Sequence, residues 1–388
     1  MPIVNRIAAM TDEITAWRRD FHENPELLYD VHRTAALVAE RLKAFGCDEV
    51  RIGIGRTGVV GVIRGRTSGS GRVIGLRADM DALPIEEATG LPYASKVKGK
   101  MHACGHDGHT AMLLGAAKYL CETRTFDGTA VVIFQPAEEG GAGGKAMVDD
   151  GMMETFGIQE VYGMHNHPGM PVGSFGTRPG PLMAASDRLS VIIDGKGGHA
   201  AKPHQCIDTV LVGAHIVTAL QSIVARNVDP LESAVISMCM FHAGNAGNVI
   251  PDRAELTGTA RSLRPHVRDL IERRFVEVVE GTARVFGATA VATYKRDYPV
   301  TANHPRQTAF AASVAAQISG TDKVNSDLAP VMGGEDFSFM LERRPGAFIF
   351  MGNGPTAGLH HPAYDFNDEA IPVGVSYWAR LVETAMPG

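Results

Sequence analysis

Cysteine is scarce: Cys47, Cys104, Cys121, Cys206 and Cys239 are the five in 388 residues, odd in number and without regular spacing. No disulfide framework can be read from them, so a reducing compartment, the cytoplasm, is the expected location. No apolar run of about 18 residues stands out, so no membrane span is expected and no membrane partner. The first residues carry Asp12 and Glu13 and lack a long apolar core, which argues against a signal peptide. Positive charge is also in short supply, with 37 Lys+Arg against 43 Asp+Glu and a formal net charge of −6. A general nucleic-acid binder needs a basic face, so nucleic acid is not an expected partner. Neither internal repeats nor low-complexity tracts are evident. The hydrophobic fraction of 45% and charged fraction of 21% exclude extended disorder. The length suits two domains of roughly 100–200 residues each.

What is present is an alternation of helix and strand patterns. The spacing predicts helices over 6–23 and 31–45, the second stopped by Gly46. Strand-like runs follow at 58–64 and 73–79, and a helix fits 108–121. TAVVIFQPAEE reads as a buried strand ending in charge, and 160–164 is a similar run ending in His165. Strands with polar groups at their C-terminal ends suit an open α/β sheet with a ligand crevice there. Between 184 and 297 the rhythm changes to strand 187–194, helix 206–226, strands 234–242 and 254–262, helix 265–286 and strand 288–297. That βαββαβ order is ferredoxin-like. Helices at 305–318 and 336–343, strand 347–351 and helix 371–385 complete the chain. The expected class is α/β: a domain with a central mixed sheet (1–183 and 298–388), interrupted by an inserted ferredoxin-like domain (184–297).

Five segments carry chemistry. Met101–His109 holds three His and Cys104 within a Gly-bracketed turn, and Cys104 and His106 stand two apart. Thiolate, imidazole and carboxylate together suit a first-row metal such as Zn, Mn, Ni or Co. Glu138 and Glu139 follow an apolar strand and precede two glycines, so one carboxylate can ligate while the other moves a proton. Asp81 ends another strand, as a ligand or as the group that orients one. His165 and His167 end a third, and His360 and His361 lie in a late loop. Repeated strand ends bearing His, Glu and Asp favour one shared crevice. A cysteine hydrolase using Cys104 with His106 or His109 is the rival reading. A non-catalytic metal-binding protein is a second rival.

MHACGHDGHTAMLLGAA, FQPAEEGGAGG, GMHNHP, GKGGHAAKPH, NVIPD, MGGEDFSFM and LHHPAYDFNDEAI, in this order, resemble the amidohydrolase branch of the aminoacylase and glutamate-carboxypeptidase metallopeptidase family. That branch includes hippurate hydrolases and indole-acetyl-amino-acid hydrolases. The resemblance implies two divalent metal ions per subunit (Mn, Zn, Co or Ni), held by Cys104, His106, Glu139, His165 and His360. It implies Glu138 as general base, Asp81 as an aspartate behind the ligands, and His199 as a group that stabilises the tetrahedral intermediate. Asn248 resembles a substrate-contacting residue, and Arg261 resembles one that binds a substrate carboxylate. The implied reaction is hydrolysis of a small N-acyl amino acid. The implied assembly is a homodimer through the inserted domain.

Overall fold

The computed structural model describes residues 5–388. The chain divides into two compact units: one runs up to Leu182 and resumes at 302–329 and 336–388; the other takes in 183–301 and 330–335. The class is the expected one, α/β with an inserted ferredoxin-like unit.

The first unit is built on an eight-stranded mixed sheet. Its centre is four parallel strands in the order Thr129–Gln135, Val73–Asp79, Glu160–His167, Gly346–Gly352. These strands are near-continuous apolar runs because helices cover both faces of such a sheet. The chain passes from Val73–Asp79 to a neighbour on one side and then to Glu160–His167 on the other. That reversal opens a crevice at the carboxyl ends of the parallel strands. The antiparallel strands Gly58–Arg64 and Glu49–Ile54 extend one edge. Glu49–Ile54 was not expected from the sequence; it is the outer edge strand and none of its residues is fully buried.

The helix His106–Thr123 lies in the core, with 15 of its 18 residues buried, so its first turn is rigidly placed. It begins two residues before the expected start. Gly105 caps it at φ 88°, in the left-handed region. A Cβ there would run into the Asn166 amide and the Tyr364 hydroxyl, so only glycine fits. The expected helix over 6–23 is instead two, Asn5–Ala8 and Thr11–Glu23. The strand expected at 160–164 continues to His167, so His165 lies within it.

The second unit is a four-stranded antiparallel sheet ordered Ala234–Ala243, Arg253–Ser262, Ala185–Asp194, Thr289–Tyr298. Helices Thr209–Arg226 and Pro265–Val285 pack on it through Ile216, Leu220, Ile271 and Phe275, against Leu189, Val191, Ile193 and Leu256. The first helix starts at Thr209, later than its apolar pattern suggests, because Asp208 caps it by accepting from Val210 N–H and Leu211 N–H. This helix is long and apolar enough, by length and composition, to cross a membrane. The expectation that no such segment exists is corrected to that extent. Val212, Ile216, Leu220 and Ile223 recur at helical spacing and form the face that packs into this unit's core.

Candidate metal centre

Segments at the carboxyl ends of the parallel strands supply the candidate ligands. Asp79 ends one strand and Asp81 lies just beyond it. Glu138 and Glu139 sit in the turn after Thr129–Gln135, and His165 is in the third strand. His360 lies in the loop after Gly346–Gly352, with its backbone N–H on Ala103 O at 2.8 Å. Two residues here hold left-handed backbone, Ala137 at φ 54° and His360 at φ 61°. Such strain persists only where surrounding structure imposes it, and it concentrates at functional sites.

The hydrogen bonds decide which atoms are free to ligate. His106 Nδ1 lies 2.8 Å from Asp81 O, and His165 Nδ1 lies 2.7 Å from Asn166 O. A carbonyl only accepts, so each Nδ1 carries a proton and Nε2 is the atom left for a metal, presenting its lone pair when the ring is neutral. His165 Nε2 faces Cys104 Sγ at 3.4 Å. His106 Nε2 is buried without a hydrogen-bond partner and lies 3.9 Å from Glu139 Oε1. His360 Nε2 is 3.2 Å from Glu139 Oε1. Two overlapping triads result, Cys104–His106–His165 and Cys104–Glu139–His360, each with its ligand atoms within 4.8 Å of one another. Soft sulfur, imidazole nitrogen and carboxylate oxygen, with orphaned lone pairs turned toward one point, fit a divalent transition metal.

Asp81 is committed elsewhere. Its Oδ1 accepts from Glu138 N–H at 2.9 Å and its Oδ2 from Glu139 N–H at 3.1 Å. With its carbonyl on His106, one residue therefore fixes both the acidic turn and an imidazole.

The charge distribution points the same way. Burial works against an imidazolium at His106, yet Asp79, Asp81 and Glu139 outweigh it and carry the group up to about 10. Burial, then Glu139 and Glu138, hold the Cys104 thiol well above its ordinary value. A centre of negative potential that raises both groups is one that a cation would neutralise. The same facts weaken the thiol-nucleophile reading, which needs a thiolate and a base beside it. His109 cannot be that base: Nε2 accepts from Asn166 N–H at 3.0 Å and Nδ1 lies 2.6 Å from Asp79 Oδ1.

Comparison with known proteins agrees with this geometry. Residues 75–384 match the model of Peptidase family M20/M25/M40. This chain belongs to that family. It is 43% identical over 384 residues to a hippurate hydrolase of Campylobacter jejuni, covering 98% of each chain. It is 41% identical to an N-acetylcysteine deacetylase of Bacillus subtilis, covering 94% of each. Among solved structures, it superposes with a TM-score of 0.84 on a Bacillus subtilis protein described as a dinuclear metal binding peptidase from the M20 family. That match has 36% identity and covers 98% of this chain and 99% of the other.

In this M20/M25/M40 chain several supporting residues had no separate sequence signal. Asp79 and Asn166 lock His109, and Asn166 also bonds Cys104 O at 2.6 Å. Arg77 bonds Gln135 at 2.9 Å, Asp79 at 2.8 Å and Asp336 at 3.0 Å beneath the crevice floor. Asp107, beside His106 in the motif, turns away to His22 Nδ1 at 2.8 Å and Arg18 at 3.5 Å. These partners come from distant segments, so no local pattern could reveal them.

The remaining expected residues lie in the second unit. Gly198–His199 pairs with Val249–Ile250, and Ala200 N–H bonds Asn248 O at 3.1 Å, so His199 and Asn248 are neighbours on one exposed ribbon. Ala201 N–H donates to His199 Nδ1 at 3.1 Å, leaving Nε2 as the N–H donor. Arg261 is half-buried in the Arg253–Ser262 strand and donates to Thr259 Oγ1 and to Ala260 O.

Proposed function

We propose that this protein is a metal-dependent amidohydrolase that cleaves the amide bond of N-acyl amino acids. One observation carries the reading: lone pairs on Cys104 Sγ, His106 Nε2, His165 Nε2 and Glu139 Oε1 gather where parallel strands end. Cys104, His106, Glu139, His165 and His360 would hold two divalent ions, with Mn, Zn, Co and Ni all suited to the donor set. Bound ions supply Lewis acidity, lowering the pKa of a water and polarising the amide carbonyl.

The protein's own groups do the rest. The Glu138 carboxylate takes a proton from the attacking water and delivers it to the amine nitrogen as the C–N bond breaks. That service is worth roughly 10²–10⁴-fold. Asp81 positions Glu138 and Glu139 through their backbone N–H groups. His199, through Nε2–H, is the proposed oxyanion donor, a role often worth about 10²–10³-fold. Asn248 contacts substrate, and Arg261 binds the carboxylate of the amino acid through two parallel bonds. These last three assignments rest on their motifs.

A homodimer through the second unit is part of the proposal. The strand Ala234–Ala243 is the outer strand of its sheet and exposes Met240 and Phe241; the adjoining helix exposes Val210 and Leu211. An apolar, unpaired edge invites a second copy. Light scattering should give twice the chain mass. A hydrolysis screen of acetyl, benzoyl and indole-acetyl amino acids, with each metal supplied separately, tests the activity. Metal-dependent release of free amino acid is expected, and no release from any substrate with any metal would overturn the reading.

A further inference from the structure

Cys47 and Cys121 are 74 positions apart in the chain, yet their sulfurs are 3.6 Å from each other. Cys47 follows Gly46, which caps the helix His32–Phe45, and Cys121 lies in the last turn of His106–Thr123. The approach is held by the Arg124 side chain. Arg124 bonds Gly46 O at 2.8 Å, Asp48 Oδ2 at 2.8 Å and Arg64 O at 2.6 Å. One guanidinium, three residues beyond Cys121, thus clamps the residues on both sides of Cys47. Neither thiol belongs to the metal centre: Cys121 is about 22 Å along the helix from His106, at 1.5 Å per residue.

We propose that Cys47 and Cys121 form an oxidation site, a resting dithiol that closes to an intramolecular disulfide on exposure to a peroxide and reopens with a thiol reductant. The thiolate of the pair attacks one peroxide oxygen, the O–O bond breaks, and a sulfenic acid and hydroxide result. The second sulfur attacks the sulfenic sulfur, the S–S bond forms, and its oxygen leaves as water once protonated. Two thiols and one hydrogen peroxide become one disulfide and two waters, with two electrons passing from sulfur to oxygen. Cys47 is partly exposed and Cys121 buried, so Cys47 gives the oxidant access. The hydrogen bond from Cys47, with help from Arg124, draws Cys121 below its ordinary value against burial, while the same pairing pushes the Cys47 thiol up, so Cys121 is the sulfur inclined to ionise. Bond formation needs the sulfurs to close to about 2 Å, a side-chain movement. The bond joins two helix ends across a long loop, which restricts the unfolded chain and stabilises the fold.

The test treats metal-loaded protein with stoichiometric hydrogen peroxide and titrates thiols under denaturing conditions. The five thiols should fall to three, a loss of two, and return to five with dithiothreitol. Peptide mapping should find the 47–121 cross-link, and the Tm should rise by a few degrees. Cys47→Ser and Cys121→Ser should each keep their remaining four thiols and show no rise in Tm. Five thiols persisting in the unmutated protein, loss of two thiols in Cys47→Ser, or Cys47 carried to sulfinic acid with Cys121 still free would each overturn the proposal.

Discussion

Asp81→Asn is the perturbation that best isolates how the metal centre is held. The carboxylate accepts from Glu138 N–H at 2.9 Å and from Glu139 N–H at 3.1 Å, one oxygen for each. Asparagine keeps the shape but turns one oxygen into an NH₂ group, so one backbone donor would face another donor. A hydrogen bond to a charged group is worth about 1.5–3 kcal/mol, and a buried donor left unmet costs about 1–3 kcal/mol. The turn can relieve this only by moving, and Glu139 would move with it. Changes behind a metal ligand cost about 10–100-fold in affinity or activity. At about 1.4 kcal/mol per tenfold that is roughly 1.4–2.8 kcal/mol, within the hydrogen-bond estimate. Competition against a chelator should therefore show metal held about 10–100-fold more weakly in Asp81→Asn, with a lower Tm. A folded variant with unchanged metal affinity and turnover would refute the argument that Asp81 acts through the acidic turn.

Three further outcomes follow from the same structure. Glu138→Gln should lose at least about 10²-fold in kcat with metal still bound, measured by turnover and metal analysis on the same sample. For His22, burial lowers the pKa, but Asp107 at 2.8 Å and Glu87 at 3.4 Å outweigh it and raise the group from 6.5 to about 9. The folded state keeps that proton longer than the unfolded chain, so the stabilisation is full below pH 6.5 and fades as pH rises through 9. It is on the order of 3 kcal/mol. Urea midpoints should fall over that window in the unmutated protein and much less in His22→Gln; an equally steep fall in the variant would remove His22 as the cause. If Arg261 reads the substrate carboxylate, N-acyl amino acids should be cleaved roughly 10–200-fold faster than their amides, from about 1.5–3 kcal/mol for a charged bond. Arg261→Ala should erase most of that preference, and equal rates on acid and amide in the unmutated protein would return Arg261 to a structural role.

Much of the architecture was legible because burial writes itself into composition. The strands Gly58–Arg64 and Val73–Asp79 were expected at their observed bounds, since both are nearly all buried and mostly apolar. The edge strand Glu49–Ile54 buries no residue fully and left no such trace. The candidate ligands could be picked out because most of them follow or end an apolar strand or stand beside a glycine where a helix opens. What stayed hidden was the assignment of each group to its partner. Asp107 and His106 are adjacent in sequence, yet one serves a buried cluster with Arg18 and His22 and the other faces Glu139. Asp79 and Asp81 are two apart, yet one holds His109 while the other holds the backbone of the acidic turn. Those choices depend on segments that meet only in the fold.

Metal content measured against turnover is the most direct test of the central claim, with Cys104→Ala beside the unmutated protein. Two divalent ions per chain are expected, with loss of activity on chelation, recovery when a divalent ion is returned, and loss of both metal and turnover in Cys104→Ala. Full turnover in metal-free protein would contradict it, as would an inactive Cys104→Ala that still holds its full complement of metal.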